Sequence, residues 1–365
     1  MQAIGRITCD AERAILREDN RARTKVSRIR KIVLPDIRKI PGAKKGLLPA
    51  FLAPSLASLT DRPPSGPKWV HEIKYDGYRM QARVDGLNIR LLTRKSLDWT
   101  ERFRSVATAL KELKIGSGLL DGEIVVEDAN GVSSFNDLQA DLKAGRQDRF
   151  HYHVFDLLHC DGYDLTQTTL ADRKALLQRL LSRLLAGSAI RFSEHLEQDG
   201  PTMFEHACRL GLEGIVSKRK DLPYRPGRGE HWLKSKCVER QEFVILGYVP
   251  STAASGSIGS IPLGYCDGEK LIYAGRVGTG WSAGQARSLR NDIEKIHSVK
   301  PNFGKKLPAA ADKGVRWAEP RFVCVIEYRG WTHDGLLRAP SFKGLREDKA
   351  AEDIVLEKKT KPHTA

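Results

Sequence analysis

Charged residues stand where this 365-residue chain otherwise reads as apolar β-strand. Lys74 follows the alternating run Trp69-Val70-His71-Glu72-Ile73, and Glu123 breaks Leu119-Leu120-Asp121-Gly122-Glu123-Ile124-Val125-Val126. Glu213 opens Gly214-Ile215-Val216-Ser217-Lys218, and Lys234 and Lys236 lie within Trp232-Leu233-Lys234-Ser235-Lys236. Burying a lone charge costs free energy, so each of these needs a partner or a ligand. Singly, each suits a structural ion pair. Together, five intrusions of both signs are better explained by one shared polar pocket. Its carboxylates would suit a divalent metal and its lysines a polyphosphate. A lysine half-buried beside other cations would have its pKa lowered and its ammonium turned into a nucleophilic amine. Lys74, before the Asp76-Gly77 turn, is the candidate, although its tripeptide alone equally suits an exposed strand-end lysine leading into a hairpin.

The remaining patterns set the frame around that pocket. Period-two runs predict strands over 69–75, 78–85 and 88–93, with hairpin signals at Asp76-Gly77 and Asp85-Gly86. Phe103, Val106, Leu110 and Leu113 recur at helical spacing. Strands follow at 119–126, 151–158 and 214–218, with helices over 134–143, 170–185 and from 201 to about 211. After Lys236 the texture changes to short strands at 242–249, 261–266, 271–277 and 321–328, separated by glycine-rich turns, with one helix over 282–296. Such spacing predicts a small β-barrel. The expectation is an α+β chain of two domains, antiparallel sheets with flanking helices over 46–237 and the barrel over 238–355, between a basic N-terminal arm (1–45) and a disordered polar tail (356–365).

Composition narrows the partners. The net charge is +16, and residues 1–45 carry +8 of it. A basic helix is predicted over 11–32, and Arg21, Arg23, Lys25, Arg28, Arg30 and Lys31 recur as a phosphate-tracking arm would require. The first expected partner is nucleic acid, with an acidic membrane second. No apolar run reaches the ~20 residues of a bilayer span, and no apolar h-region follows the first charges, so a cytoplasmic location is expected. The six cysteines show no CxxC spacing and are expected as free thiols. The ten histidines show no HxxxH arrangement, and no GxxxxGK[ST] loop is present, so a P-loop is excluded.

Lys74-Tyr75-Asp76-Gly77-Tyr78-Arg79 resembles the KxDGxR element of the covalent nucleotidyltransferases: ATP-dependent DNA ligases, RNA ligases and capping enzymes. The ordered series continues through Asp121-Gly122-Glu123, Phe155-Asp156, Glu213-Gly214-Ile215-Val216-Ser217-Lys218 and Trp232-Leu233-Lys234-Ser235-Lys236. Leu337-Arg338-Ala339-Pro340-Ser341-Phe342-Lys343-Gly344-Leu345-Arg346-Glu347-Asp348 is similar to the ligase domain of bacterial ligase-D-type enzymes of non-homologous end joining, here expected to stand alone. The resemblance implies a nucleotidyltransferase (adenylation) domain followed by an oligonucleotide-binding (OB) fold. It also implies ATP, Mg²⁺ or Mn²⁺, and duplex DNA with nicks or breaks. A Ku-like end-binding partner, a monomer and association with the bacterial nucleoid complete the expectation.

Residue by residue, the resemblance makes Lys74 the nucleophile that becomes lysyl-AMP. It places Glu72 and Ile73 beside the adenine, Arg79 and Arg94 near the ribose and phosphates, and Phe155 stacked on the base. Glu123 would contact the ribose of ATP or a metal, Glu213 would hold metal, Lys234 and Lys236 the α-phosphate, and Asp76, Gly77 and Asp121 would support the turn. Arg346, with Asp348 and Lys349, would close over the triphosphate. Where relatives show Arg-Asn-Gly, this chain has Arg94-Lys95-Ser96. RNA ligation and GTP-dependent capping share the lysine chemistry, and a non-catalytic DNA-binding protein could share the scaffold.

Overall fold

Three sheets carry the architecture, and Lys74 lies at the seam between two of them. The computed structural model describes residues 34–357 except Gln198 and His297. The arginines and lysines singled out between 21 and 31, the helix predicted over 11–32, and the tail from 358 lie outside the described residues. From Ile37 onward the described residues form one compact unit.

The first sheet runs in the order Lys44–Lys45, Tyr163–Asp164, Phe150–Cys160, Ser117–Val126, Tyr78–Asp85 and Asn88–Thr93. Ile190–Phe192 joins it in parallel beside Phe150–Cys160. The second runs His195–Leu196, Trp69–Ile73, Gly214–Arg219, Gly227–Lys236 and Ser55–Leu59. The turn at Asp85-Gly86 is a hairpin as expected, with Asp85 opposite Asn88 and Gly86 at φ 59°.

The hairpin expected across Asp76-Gly77 does not form. Trp69–Ile73 pairs with Gly214–Arg219 in one sheet, while Tyr78–Asp85 pairs with Ser117–Val126 in the other. The strand ends at Ile73, and residues 74–77 cross from sheet to sheet. Gly77 is required there by proximity rather than by a left-handed φ: a Cβ would collide with the Ile124 carbonyl oxygen and lie 2.8 Å from Val125 Cγ1. An Asp-Gly pair thus has a second use that its turn propensity conceals.

Helices pack on the outer faces. Arg104–Leu110 presents Val106, Ala107 and Leu110 to the core, and Phe103 meets Phe150 at a ring separation of 5.1 Å. Phe135–Ala144 begins at Ser134, whose hydroxyl accepts from the Asp137 N–H at 3.3 Å, and Leu170–Leu181 begins at Thr169 in the same way. Among the described residues no helix is long and apolar enough to cross a membrane.

The third sheet follows Arg316–Trp317, Gly247–Pro250, Ile258–Asp267, Glu239–Ile245, Val323–Tyr328 and Ser341–Arg346, with Lys270–Val277 beside Ile258–Asp267. Its core gathers Phe243, Ile261, Leu263 and Ile326 against Ala286, Leu289 and Ile293 of the helix Ala283–Glu294. The C-terminal sheet is consistent with an OB-type fold. The barrel expectation is met in strand composition but not in closure, since the hydrogen-bonded path among the described residues leaves its two ends unpaired.

The cysteine expectation needs correction. Cys208, in the helix Gly200–Arg209, and Cys237, one residue past the strand Gly227–Lys236, form a disulfide with Cα atoms 5.2 Å apart. Their separation of 29 residues conceals a contact that exists because the helix packs on the neighbouring strand Gly214–Arg219. Cys160, Cys266 and Cys324 are free.

Candidate active site

The seam places Lys74 at the floor of a cleft. Its backbone N–H donates to the Gly214 carbonyl at 2.9 Å, continuing the sheet register one residue beyond Ile73. Residues from all three sheets line the cleft: Lys74, Asp76, Gly77, Arg79, Arg94, Glu123, Glu213, Lys234 and Lys236 on one side, and Arg240, Glu242, Arg346, Asp348, Lys349 and Glu357 on the other. The charged residues that interrupted apolar strands therefore do share one pocket.

The amine of Lys74 pairs with the carboxylate of Glu213, at 20% and 7% side-chain exposure. Burial alone would push its pKa down, but Glu213, then Asp76 and Glu123, overcome burial and hold it raised. The expected lowering by neighbouring cations is thus corrected: carboxylates are its nearest charges, and they stabilise the ammonium. Those carboxylates are themselves strained electrostatically. Burial pushes Glu123 up to about 7, and burial with Glu213 nearby pushes Asp76 up to about 6 against the pull of Arg240. The second Glu213 oxygen, Oε2, is buried without a hydrogen-bond partner. A cation entering between Glu123 and Glu213 would satisfy that oxygen and relieve the crowding.

Basic side chains oppose them. Arg346 reaches in from the strand Ser341–Arg346, donating to the Gly77 carbonyl at 3.0 Å and pairing with Asp348 through two bonds of 2.8 Å. Its guanidinium lies 4.8 Å above the Tyr78 ring and 4.9 Å above Phe135. Arg240 bridges Asp76 and Glu327. Lys234 and Lys236 both engage the carboxylate of Glu357, the latter at 2.7 Å. Burial lowers Lys234 to about 8 despite that partner. Glu357 is held at about 2, the two lysines prevailing over its burial. Arg94 lines the cleft, and Lys95 beside it pairs with Asp353.

Of the other expected site residues, Arg79 shares the lining while Phe155, Glu72 and Ile73 do not. Arg79 is clamped by Asp121 (Nε–Oδ1 3.0 Å, Nη2–Oδ2 2.7 Å) and donates to the Ser55 carbonyl at 2.6 Å. It sits 5.2 Å from the Phe155 ring, whose neighbours are Lys218 at 4.2 Å and Trp232. Glu72 is buried, with Lys174 on one oxygen and Lys218 and Ser193 on the other, all within 2.9 Å. Burial would raise its pKa, but the two lysines hold it lowered. Ile73 ends the strand opposite Ile215. Arg240 and Glu357 escaped sequence reasoning: one lies at the expected domain boundary and the other in a segment that reads as tail. Neither interrupts an apolar run, so neither carried the signal that exposed the rest.

Two family models match the chain: the ATP dependent DNA ligase domain over residues 51–236, and the ATP dependent DNA ligase C terminal region over 254–349. The multifunctional non-homologous end joining protein LigD of Pseudomonas aeruginosa is 38% identical over 96% of this chain and 41% of its own length. The Mycobacterium tuberculosis (strain H37Rv) counterpart, a multifunctional non-homologous end joining DNA repair protein LigD, is 35% identical over 80% of this chain and 38% of its own. The chain thus spans about two fifths of the length of these relatives. A solved structure of mycobacterial DNA ligase D complexed with ATP and MES superposes with a TM-score of 0.63 at 35% identity, covering 83% of this chain and 98% of that one. A lysine on a sheet seam, ringed by carboxylates and faced by cations from the C-terminal sheet, lies within these matched spans, and the chain belongs to the ATP-dependent DNA ligase family.

Proposed function

We propose that the chain joins 5′-phosphate and 3′-hydroxyl ends in duplex DNA at the expense of ATP. The observation that carries this is the placement of the Lys74 amine in one cleft with Lys234, Lys236 and Arg346. Nζ, once it has shed its proton, attacks the α-phosphorus of ATP. An N–P bond forms, the α–β phosphoanhydride bond breaks, and pyrophosphate leaves with the electron pair. The AMP then passes to the DNA 5′-phosphate, Lys74 regaining its amine, and the 3′-hydroxyl displaces AMP to form the phosphodiester. Lys234 and Lys236 fit a role on the α-phosphate, because one carboxylate already bridges both. Positioning and charge neutralisation are most of what such phosphoryl transfers require.

A divalent ion, Mg²⁺ or Mn²⁺, fits Glu123 and Glu213, given the orphaned Oε2 and the raised carboxyl. Among the described residues no group of three or more His, Cys, Asp or Glu side chains forms a complete cage. That suits Mg²⁺, which takes one or two carboxylates and leaves its other positions to phosphates and water. When bound it would neutralise phosphate charge. Phe155 and Glu72 are assigned to the base side, with Arg79 held by Asp121.

The end-joining names of the relatives support repair of DNA breaks as the context, and to it we add a monomer near the nucleoid working with a Ku-like end-binding protein. Residues 46–237 and 238–355 are assigned as adenylation and OB-fold domains, and Arg21, Arg23, Lys25, Arg28, Arg30 and Lys31 as phosphate contacts. Incubation with α-labelled ATP and Mg²⁺ should label Lys74, and a nicked duplex should be sealed. Lys74→Ala should abolish both. Sealing that survived this substitution, or label taken from GTP alone, would overturn the proposal.

A further inference from the structure

We infer that Gln139 is a positioning residue: with Phe135 and Gly344 it forms a dock that seats the strand Ser341–Arg346 and so stands Arg346 over the cleft. The inference rests on the triphosphate reading of the cleft given above.

Gln139 lies one turn past Phe135 in the helix Phe135–Ala144, whose start is fixed by its Ser134 cap. Residues four apart share a helix face, so both side chains point at the same patch. From there the Gln139 amide donates to the Leu345 carbonyl, one residue before Arg346, and to the Tyr78 hydroxyl at 3.3 Å. The strand it meets is shaped for the contact. Its register slips between Val325 and Ile326, and Gly344 adopts φ 142°, a conformation that L side chains rarely take. A Cβ on Gly344 would collide with Gln139 Oε1 and lie 3.3 Å from Phe135 Cδ1. Tyr78 and Phe135, 5.1 Å apart, also carry the Arg346 guanidinium on their faces. Tyr78 therefore both accepts from the amide that grips Leu345 and, with Phe135, carries the cation that enters the cleft.

A dock for Arg346 matters when a triphosphate is present. It matters less once AMP is already joined to the DNA end, because no pyrophosphate then has to leave. The test is Gln139→Ala, assayed in two separate reactions: labelling of Lys74 by α-labelled ATP, and ATP-free sealing of a nicked duplex carrying a pre-formed 5′-adenylate. Labelling at saturating ATP should slow at least fivefold, while sealing of the adenylated nick stays within twofold. Gly344→Ala should reproduce the split. Hydrogen exchange across 341–346 should quicken in Gln139→Ala, a readout independent of activity. Unchanged labelling, or both reactions falling together, would overturn the dock. Absence of label in the unsubstituted protein would instead overturn the proposed function, leaving the exchange measurement to judge the dock alone.

Discussion

The Cys208–Cys237 bridge can be removed chemically or genetically, and the structure sets the size of the effect. Closing a loop with a separation of 29 residues lowers the entropy of the unfolded chain by an amount worth about 3.6 kcal/mol at 25 °C. For a chain of this size that corresponds to a fall of about 5 °C in unfolding midpoint. The effect should also reach the cleft. Cys237 donates its backbone N–H to the Glu213 carbonyl at 2.9 Å, and Lys236 precedes it opposite Gly214. The bridge thus ties the helix Gly200–Arg209 to the point where Glu213, the partner of Lys74, and Lys236 lie side by side. The assay is thermal unfolding with and without reductant, free thiols being counted by mass after alkylation, alongside a Cys208→Ser, Cys237→Ser double variant. The midpoint of the unsubstituted protein should drop on reduction to that of the variant, and the variant should ignore reductant. A midpoint that moved by less than a degree after confirmed reduction would refute the claim that this cross-link constrains the fold.

Three further outcomes are expected. Glu123 has a folded pKa of about 7, above its ordinary value of 4.5, so the folded state binds more protons between these values and stability falls as pH rises through that window; Glu123→Gln should flatten the decline in unfolding midpoint between pH 5 and 7.5. Glu357→Gln should lower the ATP concentration for half-maximal Lys74 labelling severalfold, because Lys234 and Lys236 lose the carboxylate that now occupies them; an unchanged or raised value would remove Glu357 from competition with nucleotide. Deleting residues 1–33, which precede the folded unit and hold nine Lys/Arg against four Asp/Glu, should weaken DNA binding and reduce its salt dependence while leaving lysine labelling intact; an equal salt slope would refute a phosphate-tracking role.

Much of the fold was legible because its strands alternate cleanly. The hairpin at Asp85-Gly86 and the helix starts at Ser134 and Thr169 follow local rules, and local rules suffice where the neighbours in space are neighbours in sequence. Lys74, Glu123, Glu213, Lys234 and Lys236 were visible because each breaks an apolar run, a cost that points to a shared site. What escaped depends on distant contacts. The Asp76-Gly77 turn carries a hairpin signature yet serves a crossover, since its glycine answers to the Ile124 carbonyl rather than to the twist of a strand pair. Lys74 was expected among cations because the lysines stand out in the sequence, whereas the fold brings Glu213 nearest. The disulfide and Glu357 each join segments that no spacing rule relates.

The crossover has a consequence for how such a protein can vary. Residues 74–77 are anchored at both ends by sheet registers that cannot slide without turning whole strands inside out. Their last residue, Gly77, is pressed against another backbone, so slack has nowhere to go except into the cleft. Length there is a fixed dimension of the molecule. A library of single-residue insertions should come back empty across 74–77, yet populated at the 86–87 turn a few residues on, where a side chain on Gly86 would meet open space.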